Sequence, residues 1–222
     1  MKRFMLLCLT SALSLFLLAG IALADKYKPG KYTGSATGYS KKGHPGKIDV
    51  EVTVDANSIK DIKITTFEQT TKGKQGEKTN KAKEEIPAQI LKKQSLGVDS
   101  VAKASASSMG IELAVAQALE KATVKYKDGK YTGMAKGYDK KKHPGKIVVE
   151  VTVAGGKISN INVVTFEQTT KGKQGEKTGK AKAEVPTQII AKQTTAVDSV
   201  AKASMSSDGI KLAVARALEQ AR

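Results

Sequence analysis

The sequence predicts an α+β protein built from two tandem copies of one domain, each an antiparallel β-meander followed by a loop, a short helix and a C-terminal helix. The first observation is internal repetition: residues 26–122 align with 125–221 at a constant offset of 99, with about seven positions in ten identical. The others are a run of alternating apolar residues and a closing segment with helical spacing in each copy. A copy is long enough for its own core, which predicts domains at 26–122 and 125–222.

Three strand segments open each copy. The first runs from Tyr32 to Tyr39, and the turn His44-Pro45-Gly46 follows it. Apolar residues then alternate with polar ones, as in a half-buried strand, at Ile48, Val50, Val52 and Val54 and at Ile147, Val149, Val151 and Val153. A turn at residues 55–57 leads to a third strand that ends at Phe67. Consecutive strands joined by tight turns predict an antiparallel meander.

The second half of each copy has a different pattern. Thr70 to Lys83 is polar and basic without apolar periodicity, which predicts a loop, and Pro87 is expected to open a short helix. Apolar residues then recur on one helical face at Ile111, Ala114, Val115, Ala118 and Leu119 and at Ile210, Ala213, Val214, Ala217 and Leu218. This periodicity predicts a C-terminal helix. Ser107 or Ser108 is expected to cap its N-terminus, as is Ser206 or Ser207 in the second copy.

Residues 1–24 are typical of a secretory signal peptide. Lys2 and Arg3 precede an apolar run that ends in Ala22-Leu23-Ala24, a small-x-small pattern that signal peptidase recognises. The run is also close to the length of a spanning helix, so retention as an N-terminal membrane anchor is the alternative. Cleavage is favoured. We therefore expect an exported protein, in the periplasm or at the cell surface.

The chain is strongly basic. Its formal charge is +17, and without Lys2 and Arg3 the remaining 36 basic and 21 acidic side chains give +15. Such a surface attracts phosphates, anionic membrane surfaces and acidic proteins. We expect no nucleic-acid partner, because export separates the protein from the cytoplasm and the aromatic residues are too few and scattered for a stacking platform.

Several kinds of chemistry are excluded. Signal-peptide cleavage removes Cys8, the only cysteine, and with it disulfides, thiol catalysis and thiolate metal ligands. His44 and His143 are the only histidines, and a lone histidine in a turn is a poor metal ligand set, so we expect no metal. The sequence contains no recognisable nucleophile–histidine–carboxylate constellation or acid/base pair. Catalytic residues are therefore not predicted.

The stretch VDSVAKAS occurs at residues 98–105 and again at 197–204, directly before the last helix of each copy. Free N–H groups and the helix dipole favour an anion at such a helix N-terminus. Hydroxyl and ammonium groups would add to this at Lys103, Ser105 and Ser107 and at Lys202, Ser204 and Ser206. From the residues alone, two interpretations stay open: a phosphate site, or serines that only cap the helix while Asp99 closes a turn.

Each copy resembles the FMN-binding domain family, the module also found in the flavin-carrying C and G subunits of sodium-pumping and Rnf-type electron-transfer complexes. The resemblance rests on the order and spacing of its pieces: the segment DGKYTGMAKGYDKKKHPGKIVVEVTVAGGKISNINVVTFEQT, then VDSVAKASASSMGIELAVAQAL in the first copy and VDSVAKASMSSDGIKLAVARAL in the second. It covers nearly the whole of each copy. It implies FMN as the cofactor and an electron-transfer flavoprotein rather than an enzyme.

The resemblance also implies site residues. In the family the last turn reads aspartate, two residues, then serine-glycine-alanine-threonine, and a flavin transferase joins FMN to the final threonine or serine through a phosphodiester bond. Asp99 and Asp198 match the aspartate, and Ser105 and Ser204 match the acceptor. The glutamate-threonine segment lies near the flavin in the family. That adds two second-rank positions, Thr70 and Thr169.

Two positions of the turn depart from the family pattern. Alanine stands in place of the usual serine at 102 and 201, and lysine in place of the usual glycine at 103 and 202. Glycine often marks a backbone conformation that a side chain would spoil, so Lys103 and Lys202 either obstruct the flavin or offer a positive charge to its phosphate. Covalent FMN, non-covalent FMN and no flavin at all stay open.

Two functions follow from these observations. The first is an exported electron carrier with two FMN domains, whose partners are redox proteins and a flavin transferase. The second is a flavin-free module on the same fold, whose basic surface docks acidic partners or an anionic membrane surface.

Overall fold

A computed structural model describes residues 24–39, 46–138 and 145–222. The predicted signal peptide, apart from Ala24, and the turns that contain His44 and His143 lie outside the described residues. Within the described ranges, every helix is too short or too polar to cross a membrane.

Each copy begins with a three-stranded antiparallel sheet, as the alternation predicts. The first sheet has the order β1 (Gly30–Thr37), β2 (Lys47–Val54) and β3 (Ile59–Phe67). The second has the order β4 (Gly129–Lys136), β5 (Lys146–Ala154) and β6 (Lys157–Phe166). The middle strand turns its apolar residues inward, and Ile48, Val50 and Val52 are completely buried. The predicted turn after β2 is present, closed by the Asp55 carboxylate, which accepts hydrogen bonds from the next residues.

Two helices follow each sheet, which confirms the α+β fold class with two tandem repeats. In the first repeat they are α1 (Gly73–Lys93) and α2 (Ser105–Ala122). In the second they are α3 (Gly172–Lys192) and α4 (Ser204–Gln220). The predicted loop and short helix are wrong in one respect: the helix begins at Gly73, not at Pro87, so most of the basic segment is helical.

The first half of α1 is held by small residues. Gly76, Thr79 and Ala82 lie on its buried side, in line with Ile86 and Ile90 further along. Gly76, Thr79 and Ala82 recur at helical spacing, but none has a large apolar side chain. The sequence of this half therefore does not show the pattern of an amphipathic helix. Pro87 lies inside the helix, although it cannot donate a backbone hydrogen bond there.

The C-terminal helix of each repeat covers its sheet at very short distance. A Cβ atom at Gly34 of β1 would lie 1.8 Å from the carbonyl oxygen of Ala114, and one at Gly133 of β4 would lie 1.9 Å from that of Ala213. Only glycine allows this approach. The predicted apolar face of α2 is completely buried, including Ile111, where the helix meets the core.

The two repeats contact each other through reciprocal carboxylates. Glu120 at the end of α2 accepts hydrogen bonds from Thr194 and Thr195, which follow α3 in the other repeat. Glu219 of α4, at the equivalent position, accepts hydrogen bonds from Ser95 and Leu96, which follow α1. Each repeat therefore fixes the segment that leads into the VDSVAKAS turn of the other. Burial raises the pKa of both carboxyls.

Candidate functional site

The VDSVAKAS turn keeps the backbone shape that the family's glycine implies. Lys103 has φ 66° and Lys202 has φ 65°, in the left-handed region that favours glycine. The N–H of Ala104 closes the turn on the carbonyl oxygen of Val101 at 2.9 Å. Lys103 is exposed, so its backbone takes the left-handed conformation while its side chain extends into solvent.

The last helix begins earlier than its serines suggest. Ser105 is the first residue of α2 and is exposed, and its cap residue is Ala104, which makes no side-chain hydrogen bond. The expectation that the serines at 107 and 108 cap the helix is therefore wrong. Ser108 instead accepts a hydrogen bond from the N–H of Val101 at 3.1 Å and so fixes the turn from within. Ser204, Ala203 and Ser207 repeat the arrangement in α4.

The Ser107 hydroxyl belongs to a buried network rather than to an open surface. It is 1% exposed and donates to Gln69 Oε1 at 2.7 Å. The same oxygen accepts the N–H of Tyr39 at 3.0 Å, and Gln69 Nε2 donates to the carbonyl oxygen of Gly46 at 2.8 Å. Ser206 and Gln168 form the same contact at 2.7 Å. This network ties the end of the third strand to the first turn of the last helix.

Thr70 directly follows this network and is half-buried. Its carbonyl oxygen accepts a hydrogen bond from the Thr79 hydroxyl, and Thr169 receives the same contact from Thr178. Phe67, three residues earlier, packs against the core, with Lys83 Nζ 5.4 Å from its ring centre. The Phe-Glu-Gln-Thr segment therefore lies beside the VDSVAKAS turn in each repeat.

The preceding helix holds the same turn from its other side. Gln75 in the first turn of α1 donates to the carbonyl oxygen of Lys103 at 2.9 Å. Gln89 accepts the N–H of Asp99 at 3.2 Å. The Asp99 carboxylate itself is 95% exposed and lies 3.8 Å from Lys93 Nζ, so it does not close the turn by a side-chain contact.

Of the predicted site residues, Lys103 and Ser105 lie in one turn and Ser107 follows in the first turn of α2, whereas Thr70 is linked to them only through its neighbour Gln69, which binds Ser107. Sequence reasoning missed Gln69, Gln75 and Gln89, which hold that turn, and Gln168 and Gln174, which make the equivalent contacts in the second repeat. Gln69 gave no clear signal, because it lies beyond the end of β3 at Phe67 in a polar segment. Gln75 gave none, because its segment was interpreted as a loop.

Charged residues distinguish the last helices of the two repeats. Glu112 of α2 is completely buried and pairs with Arg216 of α4 at 2.6 Å, and its other oxygen has no hydrogen-bond partner among the described residues. Burial raises its pKa to about 7, although Arg216 opposes the shift. Lys211 is the equivalent of Glu112, and it pairs with Asp208 of its own helix at 2.7 Å. Gln117 is the equivalent of Arg216. The pair across the repeats therefore exists on one side only.

Family comparison agrees with the repeat structure. The FMN-binding domain model matches the chain twice, over residues 43–120 and 143–219, which together make up more than half of its length. The chain belongs to the FMN-binding domain family. Both family matches contain a VDSVAKAS turn and the helix that follows it. The family supports FMN as the cofactor, and the two matches confirm the tandem copies.

Other comparisons add little. No curated protein matches the chain. Among solved structures, the CPE2226 protein from Clostridium perfringens is similar at 22% identity with a TM-score of 0.33, over 43% of this chain and 88% of that one.

The residues of each turn fit the phosphate end of FMN. The first hydrogen bond of α2 runs from the N–H of Ser108 to the carbonyl oxygen of Ala104, so the N–H groups of residues 105–107 precede it at the electropositive end of the helix. The exposed Ser105 hydroxyl lies at the same point. Among the described residues, no three His, Cys, Asp or Glu side chains group into a metal site.

Proposed function

We propose that the protein is an exported electron carrier with two FMN domains, one in each repeat. The observation that carries this proposal is the paired turn, in which an exposed serine begins a buried helix two residues after a left-handed lysine. Export rests on the N-terminal signal sequence and places the carrier in the periplasm or at the cell surface, with an uncleaved anchor as the alternative.

In this proposal the phosphate of FMN lies at the N-terminus of α2 or α4. The N–H groups ahead of the first intrahelical bond donate to its oxygens, and Lys103 or Lys202 adds a positive charge from the turn. Gln75 and Gln174 keep the turn in shape by holding the carbonyl oxygens of those lysines. Bound FMN supplies reversible uptake and release of electrons; the protein supplies attachment, orientation and electrostatics.

We further propose that Ser105 and Ser204 are the attachment points. A phosphodiester bond would form between the serine Oγ and the phosphorus of FMN. The donor is a flavin dinucleotide bound to a flavin transferase: its pyrophosphate bond breaks, and the nucleoside monophosphate leaves as the serine loses its proton. Both serines are exposed, as access to a transferase requires.

The excess of basic residues has a consequence for the bound cofactor. Positive charge near a flavin stabilises its reduced, negatively charged form and raises its reduction potential. We therefore expect a flavin exposed on this basic surface to have a reduction potential above that of free FMN. A basic surface also favours acidic redox partners and an anionic membrane surface.

The second function is a flavin-free binding module that docks acidic partners. The observation in its favour is the lysine at the family's glycine position in both repeats. Because both lysine side chains are exposed and the backbone keeps its left-handed shape, we favour the flavin carrier.

The test is to purify the full chain from cells that also produce a flavin transferase. We expect a yellow protein whose flavin absorbance elutes with the folded chain, bleaches on reduction and returns in air. The control is Lys31→Gln, an exposed change on β1 that should leave the colour unaltered. A colourless folded protein would favour the flavin-free module instead.

A further inference from the structure

A cavity lies between the two repeats beside the second VDSVAKAS turn. Its volume is about 560 Å³, within the range of small-molecule sites. One wall is the end of β1 with α2 of the first repeat, where Ala36, Tyr39 and Leu113 face it. The opposite wall belongs to the second repeat and includes Ser204 and Met205 at the start of α4. The serine proposed to anchor the second FMN therefore opens into a space that the first repeat completes.

The wall formed by β1 carries backbone groups suited to a planar polar ligand. β1 is the edge strand of its sheet. On its outer side the N–H of Ser35 binds Gln117 at 3.3 Å, and the carbonyl oxygen of Thr33 accepts from Lys121. Backbone groups of every second residue therefore point away from β2, and this side reaches the cavity at Ser35 and Thr37.

Charge in the cavity favours a neutral ring over a free anion. Among the described residues of its lining, Lys211 is the one basic side chain, and its ammonium group is already bound to Asp208, Ser199 and the carbonyl oxygen of Val197. Asp198 adds a second carboxylate. An isoalloxazine ring, apolar at one end and with hydrogen-bonding groups at the other, matches the mixed apolar and backbone lining.

The equivalent position beside the first turn is occupied by protein. The Arg216 guanidinium donates to the carbonyl oxygen of Met134 on β4 at 2.9 Å and to those of Leu96 and Val98 at 3.1 and 3.3 Å. It also pairs with Glu112. A cavity of about 410 Å³ remains on this side. From the first repeat it is lined by Gln94, Ser95 and Gly97, which precede the turn, and by no residue of the turn itself.

Two exchanged positions on the last helices contribute to this difference. Gln117 stands where the second repeat has Arg216, and Lys211 stands where the first has Glu112. Gln117 is shorter, and its hydrogen bond within the described part of the chain is to the N–H of Ser35, so it leaves open the space that Arg216 fills on the other side.

We propose that the isoalloxazine ring of the FMN held at Ser204 lies in the cavity between the repeats, and that Arg216 keeps the ring of the FMN held at Ser105 out of the equivalent place. This inference rests on the proposed FMN binding. It makes the two flavins unequal: the second is enclosed by both repeats, and the first is exposed to solvent and to partners.

The test is quenching of flavin fluorescence by acrylamide in the loaded full-length protein. We expect two classes of flavin, one quenched at least threefold less than the other. Ser105→Ala should remove the accessible class, and Ser204→Ala the protected one. Gln117→Arg, which places in the cavity the residue found on the other side, should make the protected class accessible without changing the flavin content.

Lys121→Arg is the matched control, because it lies on the same helix outside the cavity lining and should change neither class. Equal quenching of both flavins, or a protected class that persists in loaded Gln117→Arg protein, would overturn the inference while leaving FMN binding intact. If the serine variants keep both flavins, the attachment points fail, and the response to Gln117→Arg still decides the location of the ring. A protein without flavin would overturn this inference together with the proposed function.

Discussion

The two VDSVAKAS turns share one backbone but have different surroundings. Both have a left-handed lysine, a serine inside the turn and a glutamine from the preceding helix on the lysine carbonyl. Beside the first turn, Arg216 crosses between the repeats to Glu112, whereas beside the second Lys211 stays with Asp208 and a cavity remains. A duplicated domain can thus keep its local site while a few exchanges on one helix change what lies next to it.

The largest effect should come from removing the charge that crosses the repeats. Arg216→Ala leaves Glu112 buried without its partner, and we expect the free energy of unfolding to fall by about 3–5 kcal/mol at pH 8. Gln117→Ala, the equivalent change in the first repeat, loses one long hydrogen bond and should cost about 0.5–1 kcal/mol. Urea unfolding of both variants measures the difference in the free energy of unfolding. Equal losses in the two variants would contradict the proposed difference between the two sides of the contact.

At lower pH the difference in stability between the Arg216→Ala and Gln117→Ala variants should become smaller. The folded-state pKa of Glu112 is about 7, above its ordinary value of 4.5, so the folded protein holds this proton more tightly than the unfolded chain. Stability from this group is therefore fully present below about pH 4.5 and is lost as the pH rises towards 7. Glu112→Gln should flatten that part of the stability–pH curve, and the cost of Arg216→Ala should shrink at pH 5.

The control for the pH effect is Glu85→Gln, a half-exposed carboxylate on α1 that pairs with Lys81. Its stability–pH curve should follow that of the unchanged protein. A Glu112→Gln curve that does so as well would contradict the assigned role of the buried carboxyl.

The smallest change in stability should come from the left-handed lysine that both turns contain. Lys103→Gly and Lys202→Gly each relieve a left-handed backbone, which costs a residue with a side chain about 1–2 kcal/mol, partly offset by the flexibility of unfolded glycine. We expect each variant to be about 0.5–1 kcal/mol more stable by urea unfolding. A loss of stability in either one would show that the lysine side chain contributes contacts of its own.

The fold could be predicted where large apolar side chains repeat, as in the alternation of β2 and the helical face of α2. The first half of α1 could not, because Gly76, Thr79 and Ala82 bury a helix face without large apolar groups. The roles of Ser105 and Lys103 stay predictions. The left-handed backbone at Lys103 agrees with a glycine position, but the glutamines that hold the turn contact it from distant parts of the chain and could not be predicted from the sequence.

The contacts between the repeats could not be predicted from the sequence, because they also join distant parts of the chain. Glu112 and Arg216 are 104 residues apart, and each looks like an ordinary helix surface charge until the two helices meet. Comparing the copies does mark the place, since both positions differ between repeats that are otherwise much alike.

The most direct test of the central claim is the intact mass of the denatured protein, purified with a flavin transferase present. Ser105→Ala, Ser204→Ala and the double variant would be measured beside the unchanged chain. We predict added mass for two FMN groups in the unchanged protein, one in each single variant and none in the double variant. An unmodified mass throughout, or added mass that persists in the double variant, would contradict the assignment of these serines as flavin anchors.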